Sequence, residues 1–220
     1  MKVHEVQKGE GKTLTLVFDG WGVSPELFDS VSFPSDTDVW VLHDYCDLEM
    51  PPVPESFAEV HVVAWSLGVW VATFLRHSLG NVTSSVAICG TPFPVHQDWG
   101  IPPAIFLGTL NNVTADGLRR FDRRMCRDKA VLERYRELSS VSIARKEDEL
   151  AFLYKKIVSS DFEPEEVSGF WQKAVIAMSD CIFPVANQQA YWQGRAEVIE
   201  TDAPHLPFFD PIFQDVSWAR

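Results

Sequence analysis

The sequence has few cysteines and none of the histidine patterns that bind metals. Its four cysteines, Cys46, Cys89, Cys126 and Cys181, show no C-x-x-C spacing, which argues against a zinc site and against a disulfide framework. Its six histidines form neither H-E-x-x-H nor H-x-H, so we predict no metal site. Scattered cysteines fit a reducing compartment, and we expect a cytoplasmic protein.

Long apolar runs are also missing. Residues 1–13 carry Lys, Glu and Gly where a secretory signal needs an apolar stretch of roughly 7–15 residues, so we predict no export signal. The most apolar segment, residues 60–75, is interrupted by Ser66 and Gly68 and falls short of the roughly 18 apolar residues of a membrane span. We therefore expect a soluble protein with no membrane partner.

Basic residues are in the minority. The chain has 19 Lys and Arg against 31 Asp and Glu, a formal net charge of −12. A protein this acidic repels the phosphate backbone, so the charge argues against a nucleic-acid partner.

The composition is that of a folded domain, with 220 residues, 46% hydrophobic and 23% charged. Short apolar runs rich in β-branched residues alternate with helix-period stretches, and this alternation indicates an α/β fold with a mostly parallel sheet flanked by helices. The predicted strands are Thr13–Phe18, Asp38–Leu42, Val60–Trp65, Ser85–Cys89, Ala174–Met178 and Ala196–Ile199. The predicted helices between them are Pro25–Ser30, Leu67–Leu79 and Pro184–Trp192.

The alternation stops between about residues 101 and 169. Three helical patterns follow one another there, at Ala115–Cys126, Lys129–Leu138 and Ile143–Ser159. We predict a single α/β domain over residues 1–220 with a small helical lid inserted at about 101–169.

The segment around Ser66 is the most informative for chemistry. An apolar strand runs into Ala64-Trp-Ser-Leu-Gly68 and a helix follows, which is the context of a nucleophile elbow with Ser66 at its apex. Small residues at 64 and 68 suit the sharp turn. The alternative is that Ser66 only caps the helix, as serines commonly do.

A nucleophilic serine needs a base and an orienting acid, which follow it in the order Ser, Asp or Glu, His on such a scaffold. Asp180 comes just after a late predicted strand, and His205 lies in a loop after the last one. Taken singly, Asp180 could cap the helix at Pro184 and His205 could be a surface-loop histidine. Together with Ser66 they predict a catalytic triad.

An oxyanion hole requires two backbone N–H groups aimed at the developing negative charge. We assign one to Leu67, the residue after the nucleophile, and the other to Trp21 in the glycine-flanked turn after an early strand. The alternative for Gly20-Trp-Gly22 is an ordinary turn. Cys89 and Cys181 also lie near strand ends, but a buried structural thiol is the commoner role for such cysteines.

Six segments of the sequence resemble one family over nearly the whole chain. The segments are Phe18-Asp-Gly-Trp-Gly, Ala64-Trp-Ser-Leu-Gly-Val-Trp, Gly90-Thr-Pro-Phe-Pro, Phe121-Asp-Arg-Arg-Met-Cys, Ser179-Asp-Cys-Ile-Phe-Pro-Val-Ala-Asn-Gln and Ala203-Pro-His-Leu-Pro-Phe. Through these segments the chain resembles the BioG-type pimeloyl-[acyl-carrier protein] methyl ester esterases, members of the α/β-hydrolase superfamily.

The resemblance implies hydrolysis of the methyl ester of a pimeloyl chain on acyl carrier protein, in biotin biosynthesis and without a cofactor. It implies Ser66 as nucleophile, His205 as general base, Asp180 as its orienter, and Trp21 and Leu67 as the oxyanion hole. Asp19 departs from the family's commoner sequence, in which a small residue often precedes Gly-Trp-Gly. Its carboxylate would disfavour an oxyanion nearby.

A basic segment stands out on this acidic chain. The segment from Arg119 to Lys129 contains six basic residues and two acidic ones, which gives it a local charge of +4. Such a patch can steer an acidic acyl carrier protein into place, although a solvated helix face with pairs such as Arg124–Asp128 is the plainer interpretation. We refer to Arg119, Arg120, Arg123, Arg124 and Arg127 as the basic surface and predict that it binds the carrier protein.

Two further questions stay open at the level of sequence. The activity could be that of a general carboxylesterase or thioesterase, and a catalytically silent carrier-binding protein is the alternative outside enzymes. An apolar slot for an acyl chain could be lined by nearby aromatic residues, although some of them are expected in the core. These are Trp21, Trp65, Trp70, Phe93, Trp99 and Phe106.

Overall fold

The computed structural model describes residues 1–161, 163–167, 169–210 and 213. Its centre is a sheet of seven strands in the order β1-β3-β2-β4-β5-β6-β7, in which β1 is antiparallel to β3 and the other neighbours are parallel. The strands are β1 Lys2–Gln7, β2 Thr13–Phe18, β3 Thr37–His43, β4 Glu59–Trp65, β5 Val82–Ile88, β6 Lys173–Ala177 and β7 Glu197–Thr201.

The central strands are apolar because both of their faces are covered. Leu16, Val62 and Ile88 are fully buried. In the parallel register Leu16 lies between Trp40 of β3 and Val62 of β4. Near-continuous runs of Val, Ile and Leu are typical of strands buried on both faces of a sheet. This property made five of the interior strands visible in the sequence.

β1 is absent from the predicted strands. Its sequence, Lys-Val-His-Glu-Val-Gln, contains only two isolated apolar residues, and none of its residues is fully buried. An edge strand needs one partner and one covered side, so its apolar signal is weak. β1 forms because β3 offers its free backbone edge.

The helices that flank the sheet follow the predicted positions closely. The segment after β4 forms α1, Leu67–Leu75, and continues as a 3-10 turn at Arg76–Ser78. Pro25–Ser30 is a 3-10 helix rather than an α-helix. α6, the last of the flanking helices, spans Val185–Trp192 after Pro184.

Four helices, rather than the three expected, lie between β5 and β6. They are α2 Pro103–Leu110, α3 Ala115–Cys126, α4 Lys129–Leu138 and α5 Ile143–Val158. α2 was missed because Pro102 and Pro103 look like loop residues. Proline is nevertheless well suited to the first turn of a helix, where its missing N–H has no partner to lose.

The starts of α3, α4 and α5 carry the side-chain caps that their sequences suggest. Thr114 accepts from the N–H of Gly117, Asp128 from those of Ala130 and Val131, and Ser142 from that of Arg145. Asp128 is therefore a helix cap.

The sheet brings the ends of distant segments together. Parallel strands β2, β4, β6 and β7 place the residues that follow them at one edge of the sheet, where sites in open α/β sheets form. Among the residues described, no helix combines the length and the apolar character needed to cross a bilayer.

Candidate active site

Ser66 lies on a strained bend between β4 and α1. Its backbone has φ 57° and ψ −124°, a conformation that is unusual for a residue other than glycine. Two glycines make room for the bend, because a Cβ at Gly68 would lie 2.5 Å from the carbonyl oxygen of Asp19 and one at Gly90 would lie 2.5 Å from that of Ser66. The Ser66 side chain forms no cap with α1. Strain of this kind is typical of a nucleophile elbow.

Ser66, His205 and Asp180 form one hydrogen-bonded chain. The Oγ of Ser66 lies 2.9 Å from Nε2 of His205, and Nδ1 of His205 lies 2.7 Å from Oδ2 of Asp180. With the proton on Nδ1, the imidazole donates to the carboxylate and accepts from the hydroxyl. All three residues are buried, with 6% of Ser66 and 1% of His205 exposed. The structure thus brings together three residues that are up to 139 positions apart in sequence.

The carboxylate of Asp180 is held from several sides. Its Oδ1 accepts the backbone N–H groups of Ile182 and Phe183, at 2.7 and 2.9 Å. Its Oδ2 accepts from Nε2 of Gln188, at 3.1 Å, in addition to His205. Asp180 therefore binds the turn before α6 and the imidazole at the same time. Gln188 ends one of the segments that resemble the BioG-type family, but the sequence analysis assigned it no role, because nothing in the order of residues showed that its amide would reach Asp180.

Aromatic residues fix the imidazole of His205. The indole N–H of Trp65 donates to the carbonyl of His205 at 2.8 Å, and the ring of Phe183 stacks on the imidazole with centroids 6.0 Å apart. The next residue, Leu206, donates its N–H to the carbonyl of Met125 in α3. His205 is thus a buried residue rather than a surface-loop histidine.

Trp21 and Leu67 face the same pocket as Ser66 and His205. Within the part of the chain that the structure describes, neither of their backbone N–H groups donates to a protein acceptor. The neighbouring N–H groups of Gly20 and Gly22 are both taken, by Asp19 and Glu149 respectively. Two unpaired N–H groups beside a nucleophile can stabilise an oxyanion.

The pocket at Ser66 is mostly apolar and is walled by the inserted helices. Ile105 and Phe106 come from α2, Phe121 and Met125 from α3, and Leu150 from α5. Of the aromatic residues considered for an acyl slot, Trp21, Trp65 and Phe106 line the pocket. Trp70, Phe93 and Trp99 do not line it; Trp70 is a core residue, and Phe93 packs with Trp99 and Tyr191.

Two buried carboxyl groups lie behind the Trp21 turn. Burial raises the pKa of Asp19 well above its usual value, against the lowering effect of the Gly20 N–H. The raised pKa favours the neutral acid, which reduces the negative charge that Asp19 would place beside Trp21. Burial also raises the pKa of Glu149 to about 7, although the N–H groups of Tyr45 and Gly22 lower it.

One group of potential metal ligands occurs among the residues described. It consists of Cys89, Asp180 and His205, whose donor atoms lie within 4.8 Å of one another. Burial raises the pKa of the Cys89 thiol well above its usual value, and Nδ1 of His205 is already bound to Asp180. A neutral thiol and an occupied imidazole nitrogen are poor metal ligands, so the group fits a hydrogen-bonded dyad better.

All five arginines of the basic surface are exposed, and their contacts differ. Arg120, Arg123 and Arg124 line a mostly apolar groove between α2 and α3, and Arg124 also lines the Ser66 pocket. Arg119 is paired with Asp116 one turn away, and Arg127 donates to the sulfur of Cys181 at 3.2 Å.

The sheet, the strained serine and the helices that cover it define an α/β hydrolase, which confirms the predicted fold class. The family model described as "Pimeloyl-ACP methyl esterase BioG" matches residues 1–216, and the chain belongs to this family. The resemblance noted in the sequence is thereby confirmed. Membership supports an esterase-type hydrolase whose chemistry is related to acyl carrier protein.

Three proteins of known name are similar to this chain in sequence or in structure. The crystal structure of BioG from Haemophilus influenzae superposes with a TM-score of 0.92 at 33% identity, covering 100% of this chain and 99% of that one. An esterase from Exiguobacterium antarcticum, with a TM-score of 0.68 at 12% identity over 94% and 89% of the two chains, shows the fold alone. A "Malonyl-[acyl-carrier protein] O-methyltransferase" of Bacteroides fragilis is 37% identical over 195 residues, 86% of this chain. The match spans only 38% of that protein.

Proposed function

We propose that the protein is a serine carboxylesterase that hydrolyses the methyl ester of pimeloyl-acyl carrier protein methyl ester to pimeloyl-acyl carrier protein and methanol. The observation that carries the proposal is the hydrogen-bonded chain from Ser66 through His205 to Asp180 inside a covered apolar pocket. A serine becomes a nucleophile when an adjacent base can take its proton, and an apolar surrounding strengthens the hydrogen bonds that hold the base in place.

The first half of the reaction forms an acyl-enzyme. Nε2 of His205 takes the hydroxyl proton of Ser66 while Oγ attacks the ester carbonyl. The oxyanion that results accepts from the N–H groups of Trp21 and Leu67. The tetrahedral intermediate then collapses, the bond to the methoxy oxygen breaks, and the imidazolium gives its proton to the departing methanol.

The second half repeats these steps with water. His205 takes a proton from the water that attacks the acyl carbonyl, and Ser66 leaves with that proton. Asp180 accepts the hydrogen bond from Nδ1–H of His205 throughout, which holds the imidazole in the reactive tautomer and stabilises the imidazolium. The N–H donors of Ile182 and Phe183 support this role, since they stabilise its negative charge. None of these steps requires a metal or another cofactor.

The lining of the pocket supports an acyl substrate with an apolar chain. An ester at Ser66 would lie among apolar side chains from α2, α3 and α5, which suit a chain of methylene groups. The groove lined by Arg120, Arg123 and Arg124 adjoins this pocket, because both are lined by Trp21, Ile105 and Phe121. We infer that the inserted helices, at about residues 101–169, act as the lid and that the carrier end of the substrate leaves through the groove.

The basic surface supports an acidic carrier protein as partner. Arg120, Arg123 and Arg124 give the groove a positive wall on a protein whose net charge is −12. Complementary charge raises the encounter rate and orients the partner. We place the reaction in the cytoplasm, with no nucleic-acid or membrane partner.

The methyltransferase name of one relative does not change this proposal. The alignment leaves most of that protein outside the match, so its name can describe the unmatched part. A Ser–His–Asp chain is the machinery of acyl transfer to water, whereas methyl transfer requires no activated serine.

Active-site labelling tests the nucleophile. A fluorophosphonate should label the wild type at Ser66 and leave folded Ser66→Ala unlabelled, and the same variant should lose at least a thousandfold in kcat for methanol release. A folded wild-type protein that stays unlabelled would favour a silent carrier-binding protein. Release of the carrier thiol instead of methanol would favour a thioesterase.

Growth tests the substrate. The gene should restore biotin-independent growth to cells that lack their own pimeloyl methyl ester esterase, and the gene for Ser66→Ala should not. An active esterase that fails to restore growth would favour a general carboxylesterase.

Charge reversal tests the carrier surface. Arg120→Glu with Arg123→Glu should raise KM for the carrier-bound ester by about tenfold and leave KM for a small soluble methyl ester within about twofold, because these two side chains line the groove and not the Ser66 pocket. The matched control is Lys155→Glu with Lys156→Glu, which makes the same change of net charge at exposed positions of α5. Equal effects on the two substrates would contradict a carrier-docking role.

A further inference from the structure

The turn that carries Trp21 is attached to an inserted helix. We call residues 19–22 the oxyanion loop. The indole N–H of Trp21 donates to the carbonyl of Lys146 at 2.7 Å, and the backbone N–H of Gly22 donates to Oε2 of Glu149 at 3.0 Å. Lys146 and Glu149 both belong to α5, more than 120 residues further along the chain.

Glu149 bridges two loops rather than one. Its other oxygen, Oε1, accepts the backbone N–H of Tyr45 at 2.9 Å, in the loop that follows β3. Only 3% of the Glu149 residue is exposed. A buried carboxylate costs free energy unless it is well bound, so a residue that only filled space here would be better replaced by an apolar one. The N–H groups of Gly22 and Tyr45 explain why a carboxylate is buried at this position.

Among the described residues, the backbone N–H of Trp21 has no protein acceptor, whereas the N–H groups on either side of it are bound. The N–H before it, of Gly20, donates to Oδ1 of Asp19 at 2.6 Å, and the N–H after it, of Gly22, donates to Glu149. Gly22 has φ +68°, a conformation that favours glycine and turns its N–H away from the regular direction of the chain. With both neighbours engaged, the N–H of Trp21 remains available to the pocket that holds Ser66.

We propose that Glu149 is a positioning residue for ester hydrolysis, which holds the oxyanion loop so that the N–H of Trp21 points at the reacting carbonyl. The inference rests on the proposed esterase function. It assigns to α5 a role beyond covering the pocket, since this helix also completes the oxyanion hole. Glu149 touches no reacting atom and acts through Gly22.

Glu149→Gln is the sharpest test. The amide keeps the size of the side chain but offers one acceptor where the carboxylate offers two, so one of the N–H groups of Gly22 and Tyr45 loses its partner. The matched control is Glu147→Gln, the same substitution at an exposed position of α5. For Glu149→Gln we expect kcat to fall by about 10- to 100-fold with KM within about threefold, because a displaced oxyanion donor weakens the transition state and spares the ground state. Glu147→Gln should stay within twofold of wild type.

An inhibitor pair separates positioning from general damage. A trifluoromethyl ketone with an apolar chain adds Ser66 Oγ to its carbonyl, the proton passes to His205, and the product carries an oxyanion. Its affinity for Glu149→Gln should fall by the same factor as kcat/KM, whereas the matching methyl ketone, which stays a ketone, should bind within threefold of wild type.

The results divide cleanly. Unchanged kcat, a rise in KM alone, or equal loss of both inhibitors in folded Glu149→Gln would overturn the inference. If Glu149→Gln is unfolded at the assay temperature, Glu149→Asp supplies the same readouts, since its shorter side chain reaches only one of the two N–H groups. Ser66→Ala is assayed alongside: activity retained in that variant would overturn the esterase proposal itself, whereas loss in Ser66→Ala with none in Glu149→Gln would overturn the role of Glu149 alone.

Discussion

At the scale of single residues, the pKa of Glu149 makes the free energy of unfolding depend on pH. Burial raises its pKa from 4.5 to about 7, the N–H groups of Tyr45 and Gly22 lower it, Asp44 raises it and Arg145 lowers it. The native protein therefore binds one more proton than the unfolded chain between these pH values. Because the unfolded state then binds fewer protons, the free energy of unfolding falls as pH rises through this window and is constant, for this group, above it.

This linkage predicts that the free energy of unfolding depends on pH differently in the wild type and in Glu149→Gln. From pH 4.5 to about 7 the Glu149 contribution should lower the free energy of unfolding by about 3 kcal/mol, since each pKa unit is worth about 1.4 kcal/mol. Glu149→Gln removes that contribution but keeps the one from Asp19, whose raised pKa has the same sign. Urea unfolding of both proteins at pH 5 and pH 8 measures it. Curves that run parallel across the window would contradict the assignment.

At the scale of elements, the approach of α1 to β2 depends on one missing side chain. A Cβ at Gly68 would meet the carbonyl oxygens of Phe18 and Asp19, so α1 could not stay where it places Ser66. We predict that Gly68→Ala lowers the free energy of unfolding by about 2–4 kcal/mol, as forced overpacking does, and reduces kcat in addition.

Gly108 in α2 provides the control. A Cβ there meets nothing within 4 Å, so Gly108→Ala should raise the free energy of unfolding by about 0.5–1 kcal/mol through helix propensity alone. Chemical denaturation of the two variants gives both values. A Gly68→Ala protein as stable as wild type would show that α1 can shift without cost.

The helices and strands differ in how well the sequence predicts them. α3 and α4 begin and end where their caps and periodicity predict, because capping and amphipathic spacing are local properties. β1 and α2 are not predicted in this way. β1 depends on the free backbone edge of β3, and α2 begins with prolines, which local rules assign to loops.

At the scale of the whole molecule, the distribution of charge matters more than its total. On the proposed carrier-docking role, a protein of net charge −12 would repel an acidic partner at long range, while the groove lined by Arg120, Arg123 and Arg124 would attract it at short range. Salt weakens the attraction between exposed charges, because the screening length is about 10 Å at 0.1 M ionic strength and becomes shorter as the salt concentration rises.

Ionic strength should therefore act on one substrate and not on the other. Raising the salt concentration from about 0.05 to 0.5 M should increase KM for the carrier-bound ester several-fold and change KM for a small neutral methyl ester by less than twofold. Steady-state kinetics on both esters measures the effect. A salt-independent KM for the carrier-bound ester would contradict electrostatic docking.

The sequence by itself determined the α/β architecture, the strained serine, and the order in which Ser66, Asp180 and His205 follow one another. Those features rest on apolar periodicity and on turn chemistry, which act between neighbours along the chain. Only the tertiary structure decided that Gln188 supports Asp180 and that Glu149 holds the turn of Trp21. The Gln188–Asp180 bond spans eight positions and the Glu149–Gly22 bond spans 127. Both depend on how the folded chain places a polar side chain, and neither leaves a periodic pattern in the order of amino acids.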